Sequence, residues 1–149
     1  ILLKPQEWMN LSGQAVAAAT GFYKLPISDL MVVADDAALM PGLIRIRPGG
    51  SSGGHNGLRD IIARLKTEQF PRLRVGIGSE DSQPLRDFVL SRPDPQESRL
   101  FLEGILKAQE ALGYWIREGL SATMNRYNMK NCSTDAADDA AGGEKKPKS

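Results

Sequence analysis

The 149 residues are 41% hydrophobic and 25% charged, which suits one soluble domain that can bury a core without staples. No apolar run approaches the roughly 20 residues that cross a bilayer, and no basic-then-apolar leader is present, so no membrane segment is expected. A net charge of +1 excludes nucleic-acid binding by bulk charge and leaves only a local basic patch for that purpose.

The chain opens on Ile1-Leu2-Leu3-Lys4-Pro5 rather than on Met. Apolar residues at the very start read as the end of a buried strand closed by Pro5, and residues upstream of Ile1 are expected. A helix is predicted from about Leu11 to Tyr23, with Asn10 and Ser12 as N-cap candidates, and Pro26 and Ser28-Asp29 break it. Leu30 to Ala34 is a continuous apolar run that suits a strand buried on both faces, ended by Asp35-Asp36. Leu43 to Arg47 alternates apolar and basic residues, a strand with one wet, positive face.

Pro48 to Gly54 forms a glycine-rich loop. His55 to Lys66 reads as a helix, with Leu58, Ile61, Ile62 and Leu65 on one face, and Leu73 to Gly78 as a strand. After a Pro84 loop and Phe88-Val89-Leu90, a long helix is expected from about Glu97 to Glu118. Gly119 is its stop, and Ser121 to Tyr127 adds a turn or two. Residues 1–130 then make one domain. Residues 131–149, rich in Ala, Asp, Gly and Lys, make a disordered tail. Cys132 is the only cysteine, so no internal disulfide forms, and it lacks the partners of a zinc motif. Strands alternating with helices argue for an α/β sandwich around a mixed sheet.

Three polar segments sit where strands end or helices begin, the edges at which α/β ligand sites gather. Met9-Asn10-Leu11-Ser12-Gly13 is either a plain helix cap or a pocket rim. In the second case the Asn10 amide, both donor and acceptor, suits a peptide group or a water. Asp35 is either a turn former or an acid that orients a histidine. The loop from Gly49 to Gly54, followed by His55-Asn56-Gly57, has backbone N–H groups suited to phosphate. It lacks both the Lys-Ser/Thr ending of a P-loop and the spacing of a dinucleotide fingerprint. Arg45 and Arg47 share one strand face and Arg72 and Arg74 another. They form either a solvated charged surface or a phosphate-backbone contact.

The order of these pieces resembles the bacterial-type peptidyl-tRNA hydrolase family: Leu3-Lys4-Pro5-Gln6, Met9 to Gly13, Asp35-Asp36, Pro41-Gly42, Ile44 to Arg47, Gly53 to Arg59, then Arg72 to Gly78 and Phe88-Val89-Leu90. The likeness runs from Leu2 to about Tyr127. It implies an α/β three-layer sandwich with a mixed, mostly parallel sheet flanked by helices, whose first strand or strands and a helix lie ahead of Ile1. It implies cofactor-free and metal-free hydrolysis of the ester in peptidyl-tRNA by a cytoplasmic monomer, with no membrane partner.

By that resemblance Asp35 orients the catalytic histidine, while Asn10 and Asn56 contact the peptide or the attacking water. Met9, Gly54 and His55 line the substrate pocket, and Arg45, Arg47, Arg72 and Arg74 hold tRNA. The family's general-base histidine, and another asparagine, belong to a segment ahead of Ile1, so residues 1–149 alone are expected to be inactive. His55, the only histidine here, matches the family's other histidine. Ala34 stands where the family commonly has histidine, and Ala37-Ala38 replace a more acidic stretch. A non-catalytic RNA-binding or splicing-factor-like relative is the alternative. Retention of Asn10, Asp35 and Asn56 together favours the enzyme.

Overall fold

The computed structural model describes residues 1–78 and 94–128. A 3-10 turn, Met9–Leu11, leads into α1 (Ser12–Phe22), and a second, Ile27–Asp29, leads into β1 (Val32–Asp36). Then come β2 (Ile44–Arg47), α2 (Asn56–Leu65), β3 (Arg72–Gly76) and the long α3 (Pro95–Asn128). The sheet order is β1-β3-β2. β3 runs parallel to β1, with Val33 opposite Leu73 and Asp35 opposite Val75. It runs antiparallel to β2, with Arg45 opposite Arg74 and Ile46 opposite Leu73. The described sheet is therefore mixed, with one pair of each kind rather than a parallel majority.

Alternation along β3 sorts the two faces. Leu73 and Val75 join Ile44, Ile46, Ala108 and Ala111 in a core beneath α3. On the other face Val32 and Ala34 pack with Val16, Leu58, Ile61 and Phe70 beneath α1 and α2. Helices thus cover both faces, giving the three layers. The apolar stripe expected on α2 is the one that packs, with Leu58 and Ile61 buried and Ile62 and Leu65 against them.

Several local expectations are corrected. Ile1–Lys4 is irregular and exposed rather than a strand end. A strand needs a ladder partner, and among the described residues none pairs with it. β1 begins two residues later than expected and includes both acids. It is not buried on both faces. Val33 is 50% exposed, because it points to the α3 side with Leu73, where among the described residues α3 packs on β2 and β3 rather than over β1. Neither Asn10 nor Ser12 caps α1. Leu11 holds the N-cap position without a side-chain bond, and the Ser12 hydroxyl instead donates to the Met9 carbonyl at 2.8 Å.

α3 starts at a capping box. Asp94 Oδ1 accepts from the Gln96 and Glu97 amides at 2.7 and 2.8 Å, and Glu97 Oε2 accepts from the Asp94 amide at 2.9 Å. Gly119, expected as a stop, is a kink instead, with φ 80° and ψ 175° between two helical runs. Only a glycine adopts that conformation without strain. The expected Phe88-Val89-Leu90 segment and the 131–149 tail lie outside the described residues.

The run beyond the kink has a structural purpose. The Ile46 amide donates to Asn128 Oδ1 at 2.9 Å, and Asn128 Nδ2 donates to the Ile46 carbonyl at 2.8 Å. One side-chain amide thus serves the outer edge of β2 as a neighbouring strand would. Asn128→Ala deletes both bonds and strands two partly buried backbone groups. Urea unfolding should show a loss of about 1–3 kcal/mol at unchanged m-value. A variant as stable as the parent would mean that the amide does not hold that edge.

Candidate functional site

β1 and β3 run in parallel, so their carboxyl ends lie on one side of the sheet, and the polar segments assemble there. His55 Nε2 lies 3.0 Å from Asp35 Oδ1. The same ring caps α2, its Nδ1 accepting from the Leu58 amide at 3.2 Å. An Nδ1 that accepts cannot carry a proton, so Nε2 carries it and donates to Asp35. This hydrogen bond is the leading reason that the Asp35 carboxyl is held below its ordinary value of 3.8. Partial burial opposes it, and the nearby Arg74 charge assists it. With both ring nitrogens engaged, His55 has no free lone pair for a water proton.

Met9 lies beside His55. A Cβ at Gly57 would come within 2.7 Å of the Met9 sulfur and 3.0 Å of His55 Cε1, so the missing side chain lets the 3-10 turn press on the start of α2. Met9 and His55 share the wall of a cavity of about 380 Å³ with Leu2, Leu3, Val32, Ala34, Leu58 and Ile61. Its lining is chiefly apolar and runs along β1 to the chain start. Asp35, Asn10, Asn56 and Gly54 are not among its lining residues. Asn10 is exposed on the turn that packs against α2. Asn56, the first residue of α2, is also exposed, and its Oδ1 accepts from Arg59 Nη2 at 2.8 Å. That bond commits the oxygen and leaves the NH₂ as a free donor. Gly54 adopts φ 82° in the loop just before His55.

The four arginines lie on one face of the sheet rather than two, because Arg45 stands opposite Arg74 and Arg47 opposite Arg72. They differ in surroundings. Arg47 is exposed. Arg74 is paired with the buried Asp36 at 3.0 Å, and its guanidinium lies against Gly53. Arg72 is 2% exposed. Its guanidinium donates to the Ser51 and Glu68 carbonyls at 2.8 and 3.0 Å and stacks on Phe70 at 4.5 Å. Arg72 thus ties the glycine loop to the sheet, and no phosphate reaches it there.

The pairing of Asp36 with Arg74, the bond from Arg59 to Asn56 and the contact at Gly57 were missed from sequence. Only the last had a local signal, a glycine one residue into a helix, where it costs about 1 kcal/mol relative to Ala. Among the described residues no group of three or more His, Cys, Asp or Glu side chains is placed to hold a metal. No helix among them is long and apolar enough to cross a membrane.

A family model described as peptidyl-tRNA hydrolase matches residues 1–135. The peptidyl-tRNA hydrolase of Desulforamulus reducens is 48% identical over 131 residues, covering 88% of this chain and 63% of that one. That of Chloroflexus aggregans is 47% identical over 129 residues, covering 85% and 69%. The crystal structure of peptidyl-tRNA hydrolase from Acinetobacter baumannii superposes with a TM-score of 0.77 at 34% identity, over 83% of this chain and 63% of that one. The chain therefore spans a little under two thirds to just over two thirds of the length of these relatives.

The bond between Asp35 and His55 sets a pH dependence. The folded-state pKa of Asp35 lies below the unfolded one. The stability it contributes is therefore fully present above 3.8 and lost as pH falls through the folded value. His55→Ala removes the leading cause. Carbon-13 NMR titration should then show the Asp35 carboxyl titrating higher than in the parent. An unmoved titration would assign the shift to the backbone hydrogen bond and the Arg74 charge instead.

Proposed function

The chain belongs to the peptidyl-tRNA hydrolase family, and from that premise we propose that the whole protein hydrolyses the ester between a peptide and the 3′ end of its tRNA. The observation that carries this reading is the Asp35 carboxylate. It is held ionised by His55 at the carboxyl end of β1, beside an apolar groove and the turn and helix start that bear Asn10 and Asn56.

His55 is not the base in this arrangement, since both of its nitrogens are engaged. It occupies one Asp35 oxygen, Oδ1, and leaves Oδ2 for a second imidazole. That second imidazole is the general base of this reading, and it is not among these 149 residues, which span 63% of the length of one relative.

The base takes a proton from water, and the water oxygen attacks the ester carbonyl carbon. The tetrahedral intermediate collapses, and the departing ribose oxygen takes the proton. Peptide and free tRNA result. The Asn56 NH₂, freed as a donor by Arg59, stabilises the oxyanion or the peptide carbonyl, a contribution of typically about 10²–10³ in rate. Asn10 binds the peptide group next to the scissile ester, so an aminoacyl-tRNA without that amide is rejected. Met9 and His55 shape the pocket, and Gly54 gives the loop its turn into α2.

Arg47, Arg45 and Arg74 face the tRNA phosphates, whereas Arg72 supports the loop behind them. The reaction needs only a base and water, so we infer no metal or other cofactor. We further propose a cytoplasmic monomer, as the family likeness implies.

The test is release of tRNA from an N-acetylated aminoacyl-tRNA by the full-length protein and by its Asp35→Ala variant. The parent should turn over and spare the unacetylated substrate. The variant should be about 10²–10⁴-fold slower. A folded, tRNA-binding parent without turnover would make the protein a non-catalytic relative. A fully active variant would remove Asp35 from the mechanism.

A further inference from the structure

α1 lacks a cap of its own. Its N-cap is Leu11, no side chain there accepts a hydrogen bond, and its first turn holds no acid. The exposed positive end of a helix attracts a carboxylate, and one arrives from another helix. Asp60 of α2 reaches across, and its Oδ2 accepts from the Gly13 amide at 2.8 Å. Aspartate is a poor residue for a helix interior, and at position 60 it does nothing for the ends of α2. Its other oxygen lies 3.7 Å from Arg64, a loose pair with a half-exposed partner.

The approach is close. A Cβ at position 13 would come within 2.5 Å of the Asp60 backbone oxygen. Only glycine lets the N–H of residue 13 come this near. The contact at Gly57 and Met9 makes the reciprocal approach at the start of α2. α1 and its preceding turn are thus pinned to α2 at two points. One pin lies just after Asn10 in sequence and the other just after Asn56.

We propose that Asp60 is a positioning residue for hydrolysis: through Gly13 it sets the separation between the amides of Asn10 and Asn56. This rests on the reading above, in which both asparagines touch substrate. Asp60 itself touches none. Its influence runs through the backbone, and misplacement of a binding group by about 1 Å costs up to 10²-fold in rate.

The test uses the full-length protein with Asp60→Ala, Asp60→Asn and Arg64→Ala. Asparagine keeps an oxygen for the Gly13 amide, and Arg64→Ala removes only the loose ion pair. On an N-acetylated aminoacyl-tRNA, Asp60→Ala should lose about tenfold or more in kcat, with KM for tRNA little changed. Asp60→Asn and Arg64→Ala should stay within about threefold of the parent, a margin well inside that loss. The Gly13 amide should exchange slowly with solvent in the parent and in Asp60→Asn, and faster in Asp60→Ala, which removes its acceptor.

Equal kcat in Asp60→Ala and the parent overturns the proposal. So does a loss in Arg64→Ala that matches Asp60→Ala, or a Gly13 amide indifferent to the substitution. An inactive parent whose Gly13 amide is protected by Asp60 and exposed in Asp60→Ala would instead strike at the hydrolase reading and leave the helix contact standing.

Discussion

β3 is bonded on both edges, to β1 in parallel and to β2 in antiparallel, and the placement of every other described element follows from its alternation. Leu73 and Val75 face α3, so Arg72 and Arg74 must face the side that holds α1, α2 and the glycine loop. A slip of one residue would drive two guanidinium groups into the core of Ile44, Ile46 and Ala111. The parallel pairing also brings Asp35 and Asp36 level with Val75 and Gly76. Both acids therefore stand at the edge where His55 enters α2. A site at the carboxyl end of parallel strands is the usual outcome of this topology.

The same register sets like charges opposite one another, Arg45 against Arg74 and Arg47 against Arg72, an arrangement that is ordinarily destabilising. The structure relieves it by giving two of the four other work. Arg74 is paired through its Nε with the buried Asp36. Arg72 spreads its charge over two carbonyl oxygens and the face of Phe70. The remaining charge of the patch is carried by Arg45 and, at its rim, by the exposed Arg47. The basic character of the sheet face is thus a by-product of internal support as much as a surface for a polyanion.

Much of this was legible in the residues. The spacing of Leu58, Ile61, Ile62 and Leu65 located α2 and its buried stripe. The alternation from Ile44 to Arg47 located β2 and its wet face. The order of the polar and glycine-rich motifs along the chain located the family. What escaped was tertiary. His55 serves as a helix cap and as the partner of Asp35 at once, although histidine is no usual cap. Asn10 and Ser12 have the right chemistry to cap α1 but do not, because the 3-10 turn at Met9–Leu11 rotates them away and Asp60 takes the position. Arg72 and Arg74 look alike in sequence, and only the neighbours of each strand position distinguish a buried brace from an ion-paired rim residue. The apolar run around Val32 and Val33 implied burial on both faces. That inference counts hydrophobicity but cannot say how many strands the described sheet contains.

The amide of Asn128 gives the sheet a dependence on the order of synthesis. It closes the edge of β2 from 82 residues further along the chain. At roughly 5–20 residues per second of translation, β2 leaves the ribosome about 4–16 s before its clasp does. Through that interval the Ile46 amide and carbonyl are a template for any strand nearby. The arginines that flank Ile46 put like charge on an incoming copy of the same strand, so mutual repulsion between nascent chains guards the edge until α3 is complete.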